Sequence, residues 1–471
     1  MRLTRSLYTV ALGSIGLVAL ASVAANATVG APHSAAKVKS PISHVIVVSM
    51  ENRTPDNLFC TAFPAFSNPS EYGQPFPGMN LQCPPVSPTY WTSLASPYDP
   101  GHSYPLLVAE WDNGLMDGFA NDPVYTLTGQ QISIPGFTQT VVPPNETPLY
   151  SLLAATYVIG DGMFSSGLVP SFPGHQYMFA AQSTAADDPD TSVWGCDAPP
   201  SSLVGTFGPG NTEGPGVFPC FDYNSLADLL DAKGVQWKYY TDRPYTAGGN
   251  IDAVGAIHHL RYGEDFIKHV KFPELAVENS ISNCKLPPVS FVNAPPLASD
   301  HSGTLSAGGP AFVGGLYLVL AETELQQQSK CQYYNNTVMI VTWDDSGGWS
   351  DHVPPATDPQ TGRPFGMRVP VMVLSPFANH PPSYPVYVAH DTFTFGSIVR
   401  YIEDNWNLGS LGLQDAEATD LNSGDAGALI NYNQRPIPPL TGLMKTRFML
   451  ELQKAKARIH GKPGTPLDTD L

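Results

Sequence analysis

The 471-residue sequence predicts an α/β fold, a mostly parallel central sheet with helices on both faces. Three observations carry that reading. Short apolar runs alternate along the chain with stretches of helical periodicity, the pattern of successive βα units. Two of those runs deliver acids immediately beyond their last residue, and open α/β sheets place their chemistry at strand ends. The 47 prolines and 42 glycines call for many long loops around such a core.

The first run, Ser43-His-Val-Ile-Val-Val-Ser-Met50, reads as a strand that opens onto Glu51-Asn-Arg-Thr-Pro-Asp-Asn57. Pro55 keeps the strand from continuing, and Glu51 and Asn52 both offer oxygen to one cation. Further strands read at Tyr157 to Gly160, Val235 to Tyr240, Val289 to Val292, Thr337 to Trp343 and Val369 to Leu374. Helices read at Leu149 to Ala155, Ser225 to Ala232, Ala311 to Ser329 and Phe395 to Trp406. The strand ending at Trp343 runs into Asp344 and Asp345, hard oxygen ligands for a divalent cation. Gly347 and Gly348 then let the backbone turn, and His352 returns towards the same point. The Asp344-Asp345 end alone reads more readily as an acidic turn, whereas the Glu51-Asn52 end alone reads less readily as a mere polar loop. Together they read as two halves of a metal-assisted hydrolytic site.

Residues 1–27 have the layout of a cleaved secretory signal: basic residues, an apolar stretch from Val10 to Val23, and small residues through Ala27. That expectation makes the protein secreted or periplasmic. It also makes cystines possible for Cys60, Cys83, Cys196, Cys220, Cys284 and Cys331, with pairing between sequence neighbours as the working guess. The formal charge is −18, and −20 once Arg2 and Arg5 leave with the signal, which argues against nucleic acid as a partner. An anionic substrate would then need local cations. The catalytic domain is placed at 28–443, with Pro-, Gly- and Ser-rich loop insertions at about 60–100 and 184–220. A basic tail, 444–471, closes the chain. An amphipathic basic helix there suits peripheral membrane contact, although a helix docked on the core with a solvated cationic face is the plainer reading.

Between a short strand and a helical run, Ser171 falls at a helix N-cap with Pro173 in the first turn. The free N–H groups there form a natural phosphate cradle. A serine in that position is either a plain cap or a nucleophile. His175, one turn on, contacts substrate or packs against the helix start. His102 and His301 lie in polar, glycine-bearing segments, where histidine either lies on the surface or steadies a phosphoryl group and protonates a leaving alkoxide. His33, His44, His258, His259, His269, His380, His390 and His460 have no such context.

Glu51-Asn-Arg-Thr with Asp56, His102 ahead of Trp111-Asp-Asn-Gly-Leu-Met-Asp-Gly-Phe119, Pro170-Ser-Phe-Pro173, Asp300-His301, and Trp343-Asp-Asp-Ser-Gly-Gly-Trp-Ser-Asp-His-Val-Pro-Pro355 together resemble the bacterial phosphoesterases. That family holds phosphatidylcholine-hydrolysing phospholipases C, plant non-specific phospholipases C and an acid phosphatase branch. The resemblance spans about residues 41 to 407 and implies a core similar to alkaline phosphatase. It implies that Glu51, Asn52, Asp344 and Asp345 hold one divalent metal ion, and that Ser171 joins them as a metal-activated nucleophile. His102, His301 and His352 then surround the phosphoryl group of a phosphate monoester or phospholipid. Phospholipases C of the family usually carry Thr at the nucleophile and Asn-Arg after the following proline, where this chain has Ser171 and Gly174-His175. That leans towards the acid phosphatase branch. Pro55 stands where Phe is usual, and Ser346 where His often follows the acids. A non-catalytic secreted protein that merely captures metal or phosphate is the alternative from another class. A sulfatase-like esterase is disfavoured by the lack of a Cys/Ser-x-Pro-x-Arg segment.

Overall fold

The computed structural model describes residues 40–60, 91–243, 251–305, 307–326, 330–381, 386–425 and 427–459. The expected signal at 1–27, Cys83, His33 and His460 lie outside them. Eight strands form one sheet: β1 (His44–Met50), β2 (Val158–Gly160), β3 (Trp237–Tyr240), β4 (Val270–Lys271), β5 (Val289–Asn293), β6 (Thr337–Trp343), β7 (Val371–Leu374) and β8 (Val388–Ala389), in the order β8-β2-β7-β6-β1-β5-β3-β4. All run one way except β7, which is antiparallel to both β6 and β2. The fold class is therefore as the sequence predicts. The reversed strand was not foreseen, because a continuous apolar run such as Val371–Leu374 carries no sign of direction. β7 also begins later than expected, since Pro370 has no N–H for the ladder.

The central strands are almost wholly buried and mostly apolar because both faces are covered. On β3, Tyr239 and Tyr240 point to opposite faces. Phe179 of α4 meets Tyr239 at 5.5 Å between rings, while Tyr240 donates its hydroxyl to Ser280 of α6. The helices that pack on the sheet or border the site include, in chain order, α1 (Pro55–Phe59), α2 (Tyr104–Trp111), α3 (Pro148–Thr156), α4 (Ser171–Ala180), α5 (Leu226–Ala232), α6 (Ala276–Ser282), α7 (Gly309–Leu325), α8 (Phe395–Trp406) and α9 (Gly442–Ile459). α3, α6, α7 and α9 pack together on one side, and α4, α5 and α8 on the other.

The segment 184–220 folds over the start of α4. Ala185 and Val204 cluster with Phe172, Phe221 and Ala256, and Cys196 is bonded to Cys220. A second disulfide joins Cys284 to Cys331. Of the segment 60–100, the described part enters a small three-stranded sheet through Tyr98–Pro100. The basic tail is helical over its described part and is docked: Phe448 lies against Tyr317 of α7 at 5.3 Å, and Lys445 pairs with Glu322. Among the described residues no helix is long and apolar enough to cross a membrane.

Candidate active site

β1 and β6 are neighbours in parallel register, with Met50 opposite Trp343, so the two acidic strand ends expected from the sequence emerge side by side. The main chain stitches them together. Asp344 N–H donates to Met50 O at 3.0 Å, Arg53 N–H to Asp345 O at 3.1 Å, and Asn52 N–H to Asp344 Oδ1 at 3.0 Å. Asn52 takes a left-handed backbone (φ 59°), a conformation that costs a non-glycine residue energy and that clusters at functional sites. The opposing turn closes on it through Gly347, where a Cβ would stand 2.3 Å from Asn52 Cβ.

α4 brings Ser171 to this junction. Ser171 is the first helical residue, Pro170 holds the N-cap position, and the serine makes no capping hydrogen bond. That corrects the expected N-cap, within the one-residue latitude of helix ends. The hydroxyl turns instead to the strand ends, with Glu51 Oε2 and Asp345 Oδ2 each at 3.3 Å and Asn52 Oδ1 at 3.5 Å. The expected phosphate cradle is narrower than the first turn suggests, because Phe172 N–H already donates to Asp188 Oδ1 at 2.9 Å and Gly174 N–H to Pro170 O.

The electrostatics are unusual for a cluster this deep. Burial pushes the Glu51 carboxyl up to about 7. Burial, then the neighbouring Glu51 charge, pushes Asp344 up to about 6. Asp345 is driven well up by burial and by both of those acids. One serine proton faces three acceptor oxygens, and Asp344 Oδ2 is buried with no hydrogen-bond partner. A polar atom in that state is costly. The donor set of carboxylates, an amide oxygen and a hydroxyl fits a divalent cation, which would occupy all of them at once.

His102 reaches the cluster through Asn52, whose Nδ2 lies 3.1 Å from His102 Nε2. His102 Nδ1 donates to Pro100 O at 2.8 Å, so in the neutral ring Nε2 accepts from Asn52 Nδ2, and the Asn52 amide oxygen is left facing Ser171. Burial lowers the His102 pKa, but Asp99 and further acids outweigh it and the net shift is upward. His301 stands beside it, the rings 5.8 Å apart. The segment carrying His301 is held by Glu51 N–H donating to Ser299 O at 2.7 Å.

His352 is placed differently from the other two. Its Nδ1 lies 2.7 Å from Asp56 Oδ2, and none of its hydrogen bonds reaches the Ser171 cluster. Asp56 is in turn bound by the buried Arg368, which also grips Asp351. Conversely, His175 belongs to the cluster, with Nε2 3.1 Å from Glu51 Oε1, while burial holds its pKa down. Its position four residues after Ser171 was the available signal, since residues so spaced share one face of a helix.

The sequence profile of the Phosphoesterase family matches residues 42–409. Among proteins similar in sequence, phospholipase C B of Mycobacterium tuberculosis is 25% identical, aligned over 86% of this chain and 81% of that protein. Non-specific phospholipase C1 of Arabidopsis thaliana is 26% identical over 82% of this chain and 70% of its own. Among solved structures, a protein of the alkaline phosphatase superfamily from Vibrio parahaemolyticus overlaps 92% of this chain and 90% of its own, at 9% identity and a TM-score of 0.36.

Proposed function

Because the chain belongs to the Phosphoesterase family and is thereby a phosphoric ester hydrolase, we propose that it is an exported, metal-dependent one that works through a phosphoserine at Ser171. The observation that carries this reading is the convergence of Glu51, Asn52 and Asp345 oxygens on the Ser171 hydroxyl. Glu51, Asn52, Ser171, Asp344 and Asp345 would hold the divalent ion. When bound, the ion offsets the charge of the acids and the phosphate and lowers the serine pKa.

Glu51 or Asp345, each 3.3 Å from Oγ, takes the serine proton as Oγ bonds to phosphorus. The bond from phosphorus to the ester oxygen breaks, and His102 or His301 protonates the departing alcohol. Water then attacks the phosphoserine, a carboxylate removes a proton from that water, and Ser171 recovers its hydroxyl. His352, held by Asp56, is the third histidine assigned to the phosphoryl group. Removing the Ser171 hydroxyl (Ser171→Ala) is expected to lower turnover of p-nitrophenyl phosphate by roughly a thousandfold or more while circular dichroism stays unchanged. Substantial remaining activity would overturn the assignment.

The substrate is a phospholipid or a phosphate monoester. The relatives named above are phospholipases C, while Ser171 with Gly174-His175 departs from the phospholipase pattern towards the phosphatases. Phosphatidylcholine and p-nitrophenyl phosphate assayed side by side, after chelation and with each metal restored, separate the two. They also test the non-catalytic alternative, which predicts binding without turnover. Peripheral membrane contact through α9 is supported by the exposed Leu443, Met444 and Leu450 beside Arg447 and Lys454. Liposome flotation with and without residues 444–471 tests it.

A further inference from the structure

We propose that His175 is a nitrogen ligand in the same cation site, which therefore takes a borderline transition ion such as manganese, cobalt or zinc in preference to calcium or magnesium. The inference rests on the metal-site reading above and adds a donor to it. Ser171 and His175 leave one face of α4 and divide the Glu51 carboxylate between them, the serine facing Oε2 and His175 Nε2 facing Oε1. The donor atoms of Glu51, His175 and Asp344 lie within 4.8 Å of one another, and all three residues are buried.

Asp344 Oδ2 decides between a ligand and a simple hydrogen bond. It is shut away from water, has no hydrogen-bond partner and stands 3.7 Å from His175 Nε2, too far to be satisfied by it. Two donors each about 2.1 Å from one ion sit roughly 3 to 3.7 Å apart. Nitrogen to oxygen separations of 3.1 and 3.7 Å match that spacing, whereas an imidazole N–H donated to Glu51 leaves Asp344 Oδ2 without a partner. The Asn293 side chain acts on the imidazole and favours its protonated form, which places it where the outer partner of a metal-bound histidine commonly stands.

The departure from the phospholipase pattern has the same logic. Arginine has no lone pair to give, and histidine has one. Gly174 lets the pair work together, because a Cβ there would stand 3.1 Å from the Asp344 carbonyl oxygen and press the helix away from the acids. Imidazole among carboxylates shifts preference from calcium and magnesium towards borderline ions.

The test uses the full chain stripped by chelator. Pulsed electron paramagnetic resonance of the Mn²⁺-loaded protein should show coupling to a directly bound nitrogen, and His175→Gln should abolish it. In calorimetric titrations the same substitution should weaken Zn²⁺ or Co²⁺ binding by roughly tenfold or more, and Ca²⁺ binding far less. Mn²⁺ bound by the wild type without nitrogen coupling overturns the proposal whether or not the variant folds. If that ion is nonetheless lost in Asp345→Asn, the oxygen site stands and only His175 is wrong. Failure of the wild type to bind any ion brings down both.

Discussion

A single carboxylate, Asp56, organises the side of the site where His352 lies. Its Oδ2 accepts the His352 main-chain N–H at 2.9 Å and faces Nδ1 at 2.7 Å, while Oδ1 accepts from Arg368 Nη2 at 3.0 Å. The hydrogen bond to Asp56 raises the His352 pKa, against a smaller opposing effect of burial. A histidine with a raised folded pKa adds stability below its ordinary 6.5 and loses it as pH climbs through the folded value. Because the ring is more than a third exposed, that contribution is small and the titration itself is the better readout. In the wild type the His352 ring protons should titrate above 6.5 by NMR, and Asp56→Asn should bring the midpoint down. A midpoint that does not move would mean Asp56 does not control the ring. No spacing in the sequence ties position 56 to position 352, so this partnership was invisible there, whereas His175 stood in plain view one turn from Ser171.

At the scale of elements, α8 shows how a buried acid can make a helix pH-sensitive. Glu403 sits on its inner face, accepts Leu411 N–H at 2.9 Å, and lies near Asp415, which holds Ser410, Gly412 and Leu413. Burial first, then the Asp415 charge, pushes the Glu403 carboxyl up to about 10. An acid raised in this way supports the folded state fully below its unfolded pKa, and that support drains away as pH rises towards the folded value. Glu403→Gln should therefore melt several degrees above the wild type at pH 9 and close to it at pH 5, followed by thermal unfolding. Equal pH dependence in the two proteins would refute the assignment. The helix itself was legible to the residue, because its apolar positions recur at helical spacing. β4 and β8 were not, being two residues each, too short to carry a period.

For the whole molecule, the disulfide between Cys284 and Cys331 closes a span of 47 residues that contains all of α7. Constraining the unfolded chain over such a loop stabilises the fold by about 4 kcal/mol. Replacing both cysteines by serine should lower the denaturant midpoint accordingly, while a change under about 1 kcal/mol would show that the loop is already restrained in the unfolded state. The α/β class, most of its strands and the two acidic strand ends follow from the sequence alone, because burial on both faces writes continuous apolar runs and a sharp polar stop after each. The sequence also marked Glu51, Asn52, Ser171, Asp344 and Asp345 by residue type and position. Only the tertiary structure decided that β1 and β6 lie side by side, that β7 runs backwards and that His352 turns to Asp56. It alone brought His175 to the acids. Strand order and direction depend on long-range pairing, and a side chain's partner depends on which distant segment packs against it. Neither leaves a periodic trace along the chain.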